Sequence, residues 1–400
     1  MAQIEDPGQA VRVKNVGLRG VKVADTKISF IDGENGILIY RGFRIEDLAE
    51  RSTFPEVAYL LLYGNLPSQE QLTNFNGQIA EARRLPDFVY DNLKALPKTA
   101  YPMDVLQASI PLLAMADPEL MDDSREANYR KAVRLIARLP MAVAAWQRIR
   151  KGAEPVPPDP GLSHAANFLW QFHGAKPDPE TAEDLDTVLI LHADHTFNAS
   201  TFACREVVST RAHMYAGISG GIGALSGSLH GGANAQVMRM LMALKPDTDV
   251  ARWVREKLDR DERIMGMGHA VYKTEDPRAK IMKGMARRWA SRKSEEEKFF
   301  NLAIKIEEAA VQEFARRGKT NIKPNADFYG AVIYHAMGIP EDMMTPLFAV
   351  SRIAGWSAHI IEEKFAEAQE KPMLYRPSAE YVGEYCGLMG CSYKPLDARN

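Results

Sequence analysis

Hydrophobic and polar positions follow a strand-like pattern in only one part of the chain, close to its start. The segment 27–40, KISFIDGENGILIY, places two runs rich in β-branched and apolar residues around Asp-Gly and Asn-Gly dipeptides. These dipeptides supply the positive φ angles that a tight turn requires. The segment therefore predicts a small β-hairpin, and strands are nearly absent from the pattern after residue 40.

From residue 45 onwards, apolar residues recur at helical spacing. The run 55–63 is apolar nearly all round, which predicts a buried helix that Gly64 ends. Ser68 and Gln71 form a capping-box pattern, so a helix is expected to follow to about residue 84. Further helices are predicted at 103–116, 125–151, 179–193, 199–216, 250–260, 295–318, 328–337 and 344–369.

These patterns predict an all-α fold with one small N-terminal β-hairpin. Four prolines in the stretch 152–161 cannot continue a helix, so this stretch is expected to be a surface connection. No repeat of solenoid length and no low-complexity tract interrupts the helical pattern. The chain is therefore expected to form one large helical assembly.

Composition narrows the class of protein. A chain of 400 residues with 46% hydrophobic residues can bury a sizeable core, which excludes a disordered or fibrous class. The 50 basic and 52 acidic side chains give a net charge of -2 without long runs of one sign. A nucleic-acid or membrane-surface partner therefore has no support, and small-molecule partners are expected.

The sequence also favours a cytoplasmic location. No stretch approaches the roughly 18 apolar residues of a membrane span. The N-terminus carries Glu5 and Asp6 and lacks the apolar core of a secretory signal. The three cysteines, Cys204, Cys386 and Cys391, are an odd number spread over a long chain, which argues against a disulfide framework and for a reducing compartment.

Two histidines, His192 and His195, stand three residues apart in the segment LHADHTFN. If the segment is helical, they share one face of the helix. This spacing can hold a metal ion, but no third ligand stands at a recognisable spacing and no HExxH-like companion is present. Taken alone, the motif favours the burial of one or both rings in the core.

A glycine-dense run at 217–227 leads directly into the segment SLHGGAN, which contains His230. No strand precedes the run, so close helix packing is favoured over a dinucleotide-binding loop. His230 is followed by two glycines, so the backbone can turn sharply and a ligand can approach. A catalytic imidazole at a helix end requires this arrangement.

Two further segments and one buried arginine carry candidate chemistry. His269 leaves a glycine-rich loop and is followed by Lys273 and Arg278. This combination suits an anionic substrate with a polarisable carbonyl, and a solvated loop is the simpler alternative. Asp327 stands at the expected start of a helix, where an N-cap role is as well supported as catalysis. Arg352 lies in an apolar helical pattern and requires an anion there.

Taken together, the motif-bearing segments resemble citrate synthases. They are HADHTFNASTF (192–202), SLHGGAN (228–234), GMGHAVYKTEDPRA (266–279), PNADFY (324–329), RIAGWSAHIIEE (352–363) and RPSAEYVG (376–383). The resemblance extends to residues 17–50, so it covers nearly the whole chain in the expected order. It implies an almost wholly helical homodimer that condenses oxaloacetate with acetyl-CoA and water to give citrate and CoA, as in the tricarboxylic acid cycle. Acetyl-CoA is then a substrate, and neither a cofactor nor a metal is expected.

The resemblance also implies a division into two domains. Residues 1–231 and 340–400 are expected to form a large domain that dimerises and carries part of the active site. Residues 232–339 are expected to form a small mobile domain on the CoA side, with His269 and Asp327. Domain closure is expected to order the binding of the two substrates.

The resemblance assigns roles to individual residues. Asp327 matches the base that takes a proton from the acetyl methyl group, and His230 matches the group that meets the charge on the thioester oxygen. His269 matches the residue that polarises the oxaloacetate ketone and protonates the alkoxide as the carbon bond closes. The groups that match oxaloacetate ligands are His195, Arg278, Arg352 and Arg376, the last contributed by the other subunit of the dimer. Lys273 stands where the family places a cation near the CoA phosphates.

The chain departs from the commonest bacterial pattern at positions beside these residues, namely Thr196, Ala270, Gly330, Ala331 and Ser378. Two alternative functions stay open. One is 2-methylcitrate synthase, which prefers propionyl-CoA, because one methylene is worth only about 1–3 kcal/mol in an apolar pocket. The other is a metal-dependent hydrolase built on His192 and His195. The sequence also leaves open whether dimers assemble further.

Overall fold

The computed structural model describes residues 17–18, 20–245, 247–292, 294–384 and 389–399. Within them the fold has sixteen α-helices and one three-stranded sheet, which confirms the predicted all-α class with a small hairpin. The helices are α1 Ile45–Arg51, α2 Phe54–Tyr63, α3 Gln69–Ala82, α4 Asp87–Ala95, α5 Pro102–Met115, α6 Arg125–Arg150, α7 His164–His173, α8 Pro179–His192, α9 Ala199–Ser209, α10 Met214–Ser226, α11 Ala233–Ala243, α12 Val250–Asp259, α13 Pro277–Ala290, α14 Ser294–Arg316, α15 Ala326–Ala336 and α16 Glu341–Lys364.

The predicted hairpin is present and carries a third strand. Strand β1 (Ser29–Asp32) pairs antiparallel with β2 (Ile37–Tyr40). Strand β2 then pairs with β3 (Phe43–Arg44), which is too short to give a sequence pattern of its own. Gly36 closes the β1–β2 turn with φ +65°, a conformation that glycine adopts without steric cost.

Two helix boundaries that the sequence predicts are present, and local backbone conformation or hydrogen bonds explain each of them. Gly64 ends α2 in the left-handed region, with φ +88°. At the start of α3, the Ser68 backbone N–H donates to Gln71 Oε1 at 2.8 Å, and the Gln71 N–H donates to Ser68 Oγ at 3.3 Å. These two hydrogen bonds are the capping box that the sequence predicts.

The single helix predicted at 199–216 was wrong, because the chain forms two helices there. It turns at residues 210–213, between α9 and α10, where Arg211 has φ +71°. Helix α8 also ends at His192, so His192 and His195 do not share a helix. Four helices, α4, α7, α11 and α13, lie outside the predicted set.

The glycine-dense run forms most of α10, and its predicted role in close helix packing is confirmed. A Cβ atom built on Gly221 would lie 2.3 Å from Cys204 Sγ on α9. A Cβ atom on Gly217 would lie 2.7 Å from Val208 on the same helix. Any larger residue at these two positions would push α9 and α10 apart.

Helix α16 is the central helix of the fold. All its residues from Met343 to Lys364 are buried, and it packs against α2, α5, α6, α8, α9, α10 and α11. It therefore carries polar side chains such as Arg352 into the interior. In the described part of the chain, no helix is both long and apolar enough to cross a membrane.

The chain divides into two units. Residues 24–373 form one unit, which contains the sheet and all sixteen helices, and the two ends of the chain, up to Val23 and from Leu374, form the other. The domain division predicted from the family resemblance stays a prediction.

The cysteines differ in oxidation state. Cys204 is free and buried in α9. Cys391 is disulfide-bonded, although the odd number of cysteines over a long chain argues against a disulfide framework. Cys386 lies outside the described residues.

Candidate active site

His230 lies in the turn between α10 and α11, at a helix end as predicted. The turn is tight, since the Gly231 N–H donates to Leu225 O at 3.0 Å. A Cβ atom on Gly231 would lie 2.4 Å from the same oxygen, so this position requires glycine. The glycine after His230 therefore allows the sharp turn that presents the ring.

The hydrogen bonds of His230 define its tautomer. Its Nε2 accepts the Ser200 backbone N–H at 3.2 Å and lies 2.8 Å from Ser200 Oγ. Ser200 Oγ in turn accepts the indole N–H of Trp356 on α16, at 3.2 Å. Burial, and after it the charge of Arg352, lowers the pKa of His230 to about 4. The ring is thus neutral at physiological pH, with Nε2 as acceptor and its proton on Nδ1.

His269 has the opposite tautomer. Its Nδ1 accepts the backbone N–H groups of Val271 and Tyr272, at 3.0 and 3.2 Å. Burial and the charge of Arg278 lower its pKa to about 4. The neutral ring therefore carries its proton on Nε2, and the two hydrogen bonds to Nδ1 hold the ring in place.

Asp327 is the second residue of α15, and Asn325 rather than Asp327 caps the helix. Asn325 Oδ1 accepts the Asp327 backbone N–H at 3.0 Å, which leaves the Asp327 carboxylate free of a capping role. Asn325 Nδ2 also donates to Gly268 O at 2.9 Å. One side chain thus connects the start of α15 to the loop of His269.

The environment of Asp327 makes its carboxylate a stronger base than usual. Burial raises its pKa to about 6, although the charges of Arg278 and Arg352 oppose the shift. Among the described residues, no side chain donates a hydrogen bond to this carboxylate. A carboxylate of this kind is suited to accept a proton from a substrate.

Arg278 is buried and already paired. Its Nε and Nη2 donate to the two oxygens of Asp276, at 3.0 and 2.8 Å. Burial would lower the pKa of Arg278, but the Asp276 carboxylate raises it above its ordinary value. The sequence analysis missed Asp276, although an Asp directly before Pro277 is a common start of a helix and does cap α13.

Arg352 is buried without a carboxylate partner in the described part of the chain. Its Nε donates to His192 O at 2.7 Å, and its guanidinium lies 4.7 Å from the centre of the Phe348 ring. Burial lowers its pKa to about 10. The expectation that this arginine requires an anion agrees with its environment.

His195 lies in the loop after α8, beside His269. The two ring centres are 5.1 Å apart, and His195 Nε2 lies 3.3 Å from Tyr272 Oη. The neighbouring Asp194 anchors this loop, since it accepts hydrogen bonds and lies 3.2 Å from His359 Nε2 on α16. His195 is therefore held at the site by a buried polar network.

The pKa shifts of the three predicted catalytic groups have common causes. Burial has the largest effect on the pKa of His230, His269 and Asp327. Arg352 then acts on His230 and on Asp327. Arg278 acts on His269 and on Asp327. The three predicted catalytic groups are thus each within the electrostatic influence of Arg278, of Arg352 or of both.

The two histidines of the candidate metal motif, His192 and His195, contact different tyrosines. His192 Nδ1 lies 3.2 Å from Tyr334 Oη, whereas His195 contacts Tyr272. Within the described residues, no group of three or more His, Cys, Asp or Glu side chains is arranged to hold a metal ion. Both rings are buried, as the motif alone favours.

The remaining predicted groups lie outside this cluster or in the other unit. Lys273 is exposed and pairs with Glu34 on the hairpin turn, and its backbone N–H donates to Gly33 O at 2.9 Å. Arg376 belongs to the unit formed by the chain ends and is exposed there. The roles of both residues stay predictions.

Comparisons with known proteins agree with these motifs. Residues 17–378 match the family described as citrate synthase, C-terminal domain. The citrate synthase of Haloferax volcanii is 43% identical over 96% of this chain and 98% of its own length. The 2-methylcitrate synthase 2 of Corynebacterium glutamicum is 39% identical over 92% of this chain and 94% of its own length. The citrate synthase of Thermoplasma acidophilum, solved as a ternary complex with carboxymethyl coenzyme A and oxaloacetate, superposes on this chain with a TM-score of 0.88. It is 34% identical, and the match covers 96% of this chain and 98% of that chain.

Proposed function

The chain belongs to the citrate synthase family, and on this premise we propose that it condenses oxaloacetate with acetyl-CoA and water to give citrate and CoA. The proposal is supported by two buried, neutral imidazoles with opposite tautomers, those of His230 and His269, and by the buried Asp327 carboxylate. Each imidazole keeps one N–H for a substrate oxygen. The carboxylate keeps a raised pKa, as the removal of a proton from carbon requires.

Asp327 acts as the base in this proposal. It takes a proton from the methyl group of acetyl-CoA, and the electron pair of that C–H bond moves toward the thioester oxygen. His230 Nδ1–H donates a hydrogen bond to this oxygen as its charge develops. Since Nε2 is held by Ser200, the ring does not need to reorient when the charge forms.

His269 acts on the second substrate. Its Nε2–H polarises the ketone of oxaloacetate, and the enol carbon forms the new C–C bond to the ketone carbon. His269 gives its Nε2 proton to the ketone oxygen as the bond closes, and the ring later regains a proton from solvent. Water then cleaves the thioester, which releases citrate and the free thiol of CoA.

The carboxylates of oxaloacetate need cations, because they leave water when they bind. Arg352 has no carboxylate partner among the described residues and is the first candidate ligand. Arg278 keeps Nη1 for the substrate while Asp276 holds its other nitrogens. His195 completes the set on this chain, and we propose that Arg376 completes it from the partner in a homodimer. Lys273 is proposed to contact the CoA phosphates.

A thiol-release assay tests the reaction. Purified protein with oxaloacetate and acetyl-CoA is expected to release CoA, and Asp327→Asn is expected to lower kcat by about 10²–10⁴-fold because the base is lost. Asn keeps the size of the side chain and the cap by Asn325. Absence of release by the wild-type protein from any acyl-CoA would contradict the proposal.

A second candidate is 2-methylcitrate synthesis, which the relative from Corynebacterium glutamicum favours. The same assay with propionyl-CoA separates the two reactions. The ratio of kcat/KM for acetyl-CoA and propionyl-CoA decides the assignment, and we expect acetyl-CoA to be preferred.

A further inference from the structure

A second concave site lies at the other end of α8 from the active site. This cleft has a volume of about 760 Å³. Its walls come from the junction of α1 and α2, from α3, and from the starts of α7 and α8. No residue assigned above to the active site lines it, so its chemistry has to be explained separately.

Arg83 lies in the cleft wall at the end of α3 and is only 5% exposed. One of its terminal nitrogens, Nη1, donates to Leu162 O at 3.2 Å. Its Nε is buried and has no hydrogen-bond partner among the described residues, and no carboxylate pairs with the guanidinium there. A buried guanidinium without an anion is costly, since charge in the interior is normally paired.

His164, at the start of α7, is the second unsatisfied group in the wall. It is 3% exposed, and within the described chain neither of its ring nitrogens has a hydrogen-bond partner. Its ring stacks on Phe54 with centres 5.2 Å apart, which fixes its plane. Burial and the charge of Arg83 keep the ring neutral, with a pKa of about 3, so it keeps one N–H donor and one acceptor.

Three helices begin at this cleft, namely α2, α7 and α8, and residues of each first turn line it. The N-terminal end of a helix carries a partial positive charge, which favours a bound anion. The helix ends alone do not make a site. Beside these helix ends, Arg83 supplies a buried cation, and Arg83 and His164 supply buried nitrogens without hydrogen-bond partners among the described residues.

The outer part of the cleft is acidic. Glu50 and Glu183 line it and are exposed. Asp186 lies further in and accepts the Phe54 backbone N–H at 2.7 Å. Burial raises the pKa of Asp186 to about 7, so near neutral pH this carboxyl is partly protonated and can also donate. These groups suit hydroxyl or amino groups of a ligand rather than a second anionic group.

We propose that the cleft binds a small organic anion, whose carboxylate or phosphate group contacts Arg83 and His164 and whose hydroxyl or amino groups face the acidic carboxyl groups. The proposal does not rest on the function of the active site. Its readout is binding, so it can fail or hold whatever reaction the enzyme catalyses.

Glycerol 3-phosphate and glycerate are matched probes for this site, because they share hydroxyl groups and differ in the anionic group. Glycerol is the neutral control. Binding is measured by isothermal titration calorimetry on the full chain. We expect saturable binding of one or both anions and none of glycerol, and the stronger of the two identifies phosphate or carboxylate as the preferred group.

Neighbouring arginines supply a matched pair of variants. Arg83→Gln removes the buried charge and is expected to weaken binding at least tenfold, since a charged hydrogen bond is lost. Arg84→Gln removes an exposed arginine that pairs with Asp87 and does not line the cleft, so binding is expected to be unchanged.

A second pair tests the site without changing a buried residue. Asn76→Trp, at an exposed position of α3 that lines the cleft, is expected to block binding by filling it. Gln78→Trp, exposed on the same helix but outside the cleft, is expected to bind normally. Equal affinity in the wild type, Arg83→Gln and Asn76→Trp would place the anion elsewhere and overturn the proposal. No saturable binding of either anion to the wild-type protein would also overturn it.

Discussion

Asn325 shows how a single side chain can set the position of two catalytic segments. Its amide nitrogen holds the loop of His269 through Gly268 O, and its amide oxygen caps the helix that carries Asp327. Its own backbone N–H donates to Gly266 O at 2.9 Å. Asn325 thus holds the loop by two hydrogen bonds and the helix by one. Asn325 touches no substrate in the proposed reaction and acts as a positioning residue.

Replacement of Asn325 separates its two functions. Asn325→Ala is expected to lower kcat by about tenfold to a hundredfold, because even a small displacement of Asp327 or His269 from the reacting atoms slows the reaction. Loss of the cap is expected to lower the free energy of unfolding by about 1 kcal/mol. Asn325→Asp keeps the cap but cannot donate to Gly268 O, so stability is expected to recover while kcat stays low. Recovery of both quantities in Asn325→Asp would show that the contact with Gly268 is unimportant.

The pKa of Asp327 predicts the acid limb of the pH profile. Asp327, with a pKa of about 6, becomes protonated as the pH falls through 6 and can then no longer accept a proton. We therefore expect kcat/KM to fall about tenfold for each pH unit below 6. His230 and His269, with pKa values of about 4, stay neutral over this range and add no second step. Steady-state kinetics across the acid range test this. A profile that stays level until the protein unfolds would show that no group with this pKa is essential.

Among single residues, the sequence predicts those that stand in recognisable motifs. The candidate catalytic residues His230, His269 and Asp327 are named by their segments, and so are the candidate arginines Arg278, Arg352 and Arg376. The partners that set their tautomers and charges were missed, because Ser200 reaches His230 only through the packing of α9 against α10. The spacing of residues along the chain does not reveal a contact that depends on how two helices pack.

At the scale of elements, the hairpin and the loop after His269 are fitted closely together. A Cβ atom on Gly33 would lie 2.2 Å from Val271 O, and one on Gly36 would lie 2.8 Å from Glu275 O. The hairpin turn therefore supports the loop that fixes the tautomer of His269. Glycine is needed here for close approach of two backbones.

Gly33→Ala tests this support. The added methyl group is expected to displace the 271–275 loop and to lower kcat/KM at least tenfold, with a loss of stability of about 1–3 kcal/mol from overpacking. Gly77→Ala in α3 is the control, because nothing lies within 4 Å of its Cβ position. That variant is expected to keep full activity and to gain up to about 1 kcal/mol of stability. Chemical unfolding and steady-state kinetics measure both effects, and normal kinetics in Gly33→Ala would contradict the proposed support.

Elements with strong local signals were predicted well. The capping box of α3 and the turn of the hairpin are encoded within a few residues. The break between α9 and α10 was missed, because the apolar period continues across it and Arg211 is not a residue that usually marks a positive φ. Helix α13 was missed because its segment was interpreted by its charged residues rather than by the Asp-Pro start.

At the scale of the whole molecule, buried charges connect elements far apart in sequence. Arg205 on α9 contacts Glu362 and Glu363 on α16, at 2.6 and 2.7 Å, and all three side chains are buried. Glu362 also accepts the Lys27 backbone N–H at 2.7 Å, just before the hairpin. This network joins the hairpin, α9 and the central helix.

Arg205→Met is expected to destabilise the protein by about 3–5 kcal/mol, because it leaves two buried carboxylates without their cation. Arg252→Met, which removes an exposed ion pair with Glu256 on α12, is the control and is expected to leave the free energy of unfolding unchanged. Urea unfolding followed by circular dichroism measures both. Similar stability of the two variants would show that the network contributes little.

The proposed dimer predicts complementation between inactive subunits. In a mixed dimer of Arg376→Ala and Asp327→Asn chains, one site has every group intact if Arg376 comes from the partner. Random mixing in equal amounts is then expected to restore about a quarter of wild-type activity. Asp327→Asn mixed with His269→Asn is the control, since both groups lie in one chain's site and no activity is expected to return. Failure of the first mixture to regain activity would show that Arg376 does not act across the interface.

The close packing of α9 against α10 has a practical consequence for kinetics. The thiol of Cys204 is buried against Gly221 of α10, and burial raises its pKa above the ordinary value. It can react with an alkylating or disulfide reagent only after these helices separate. The rate at which Cys204 becomes labelled therefore measures how often α9 and α10 separate. In the folded enzyme, this thiol stays silent in an assay that counts the thiols of released CoA.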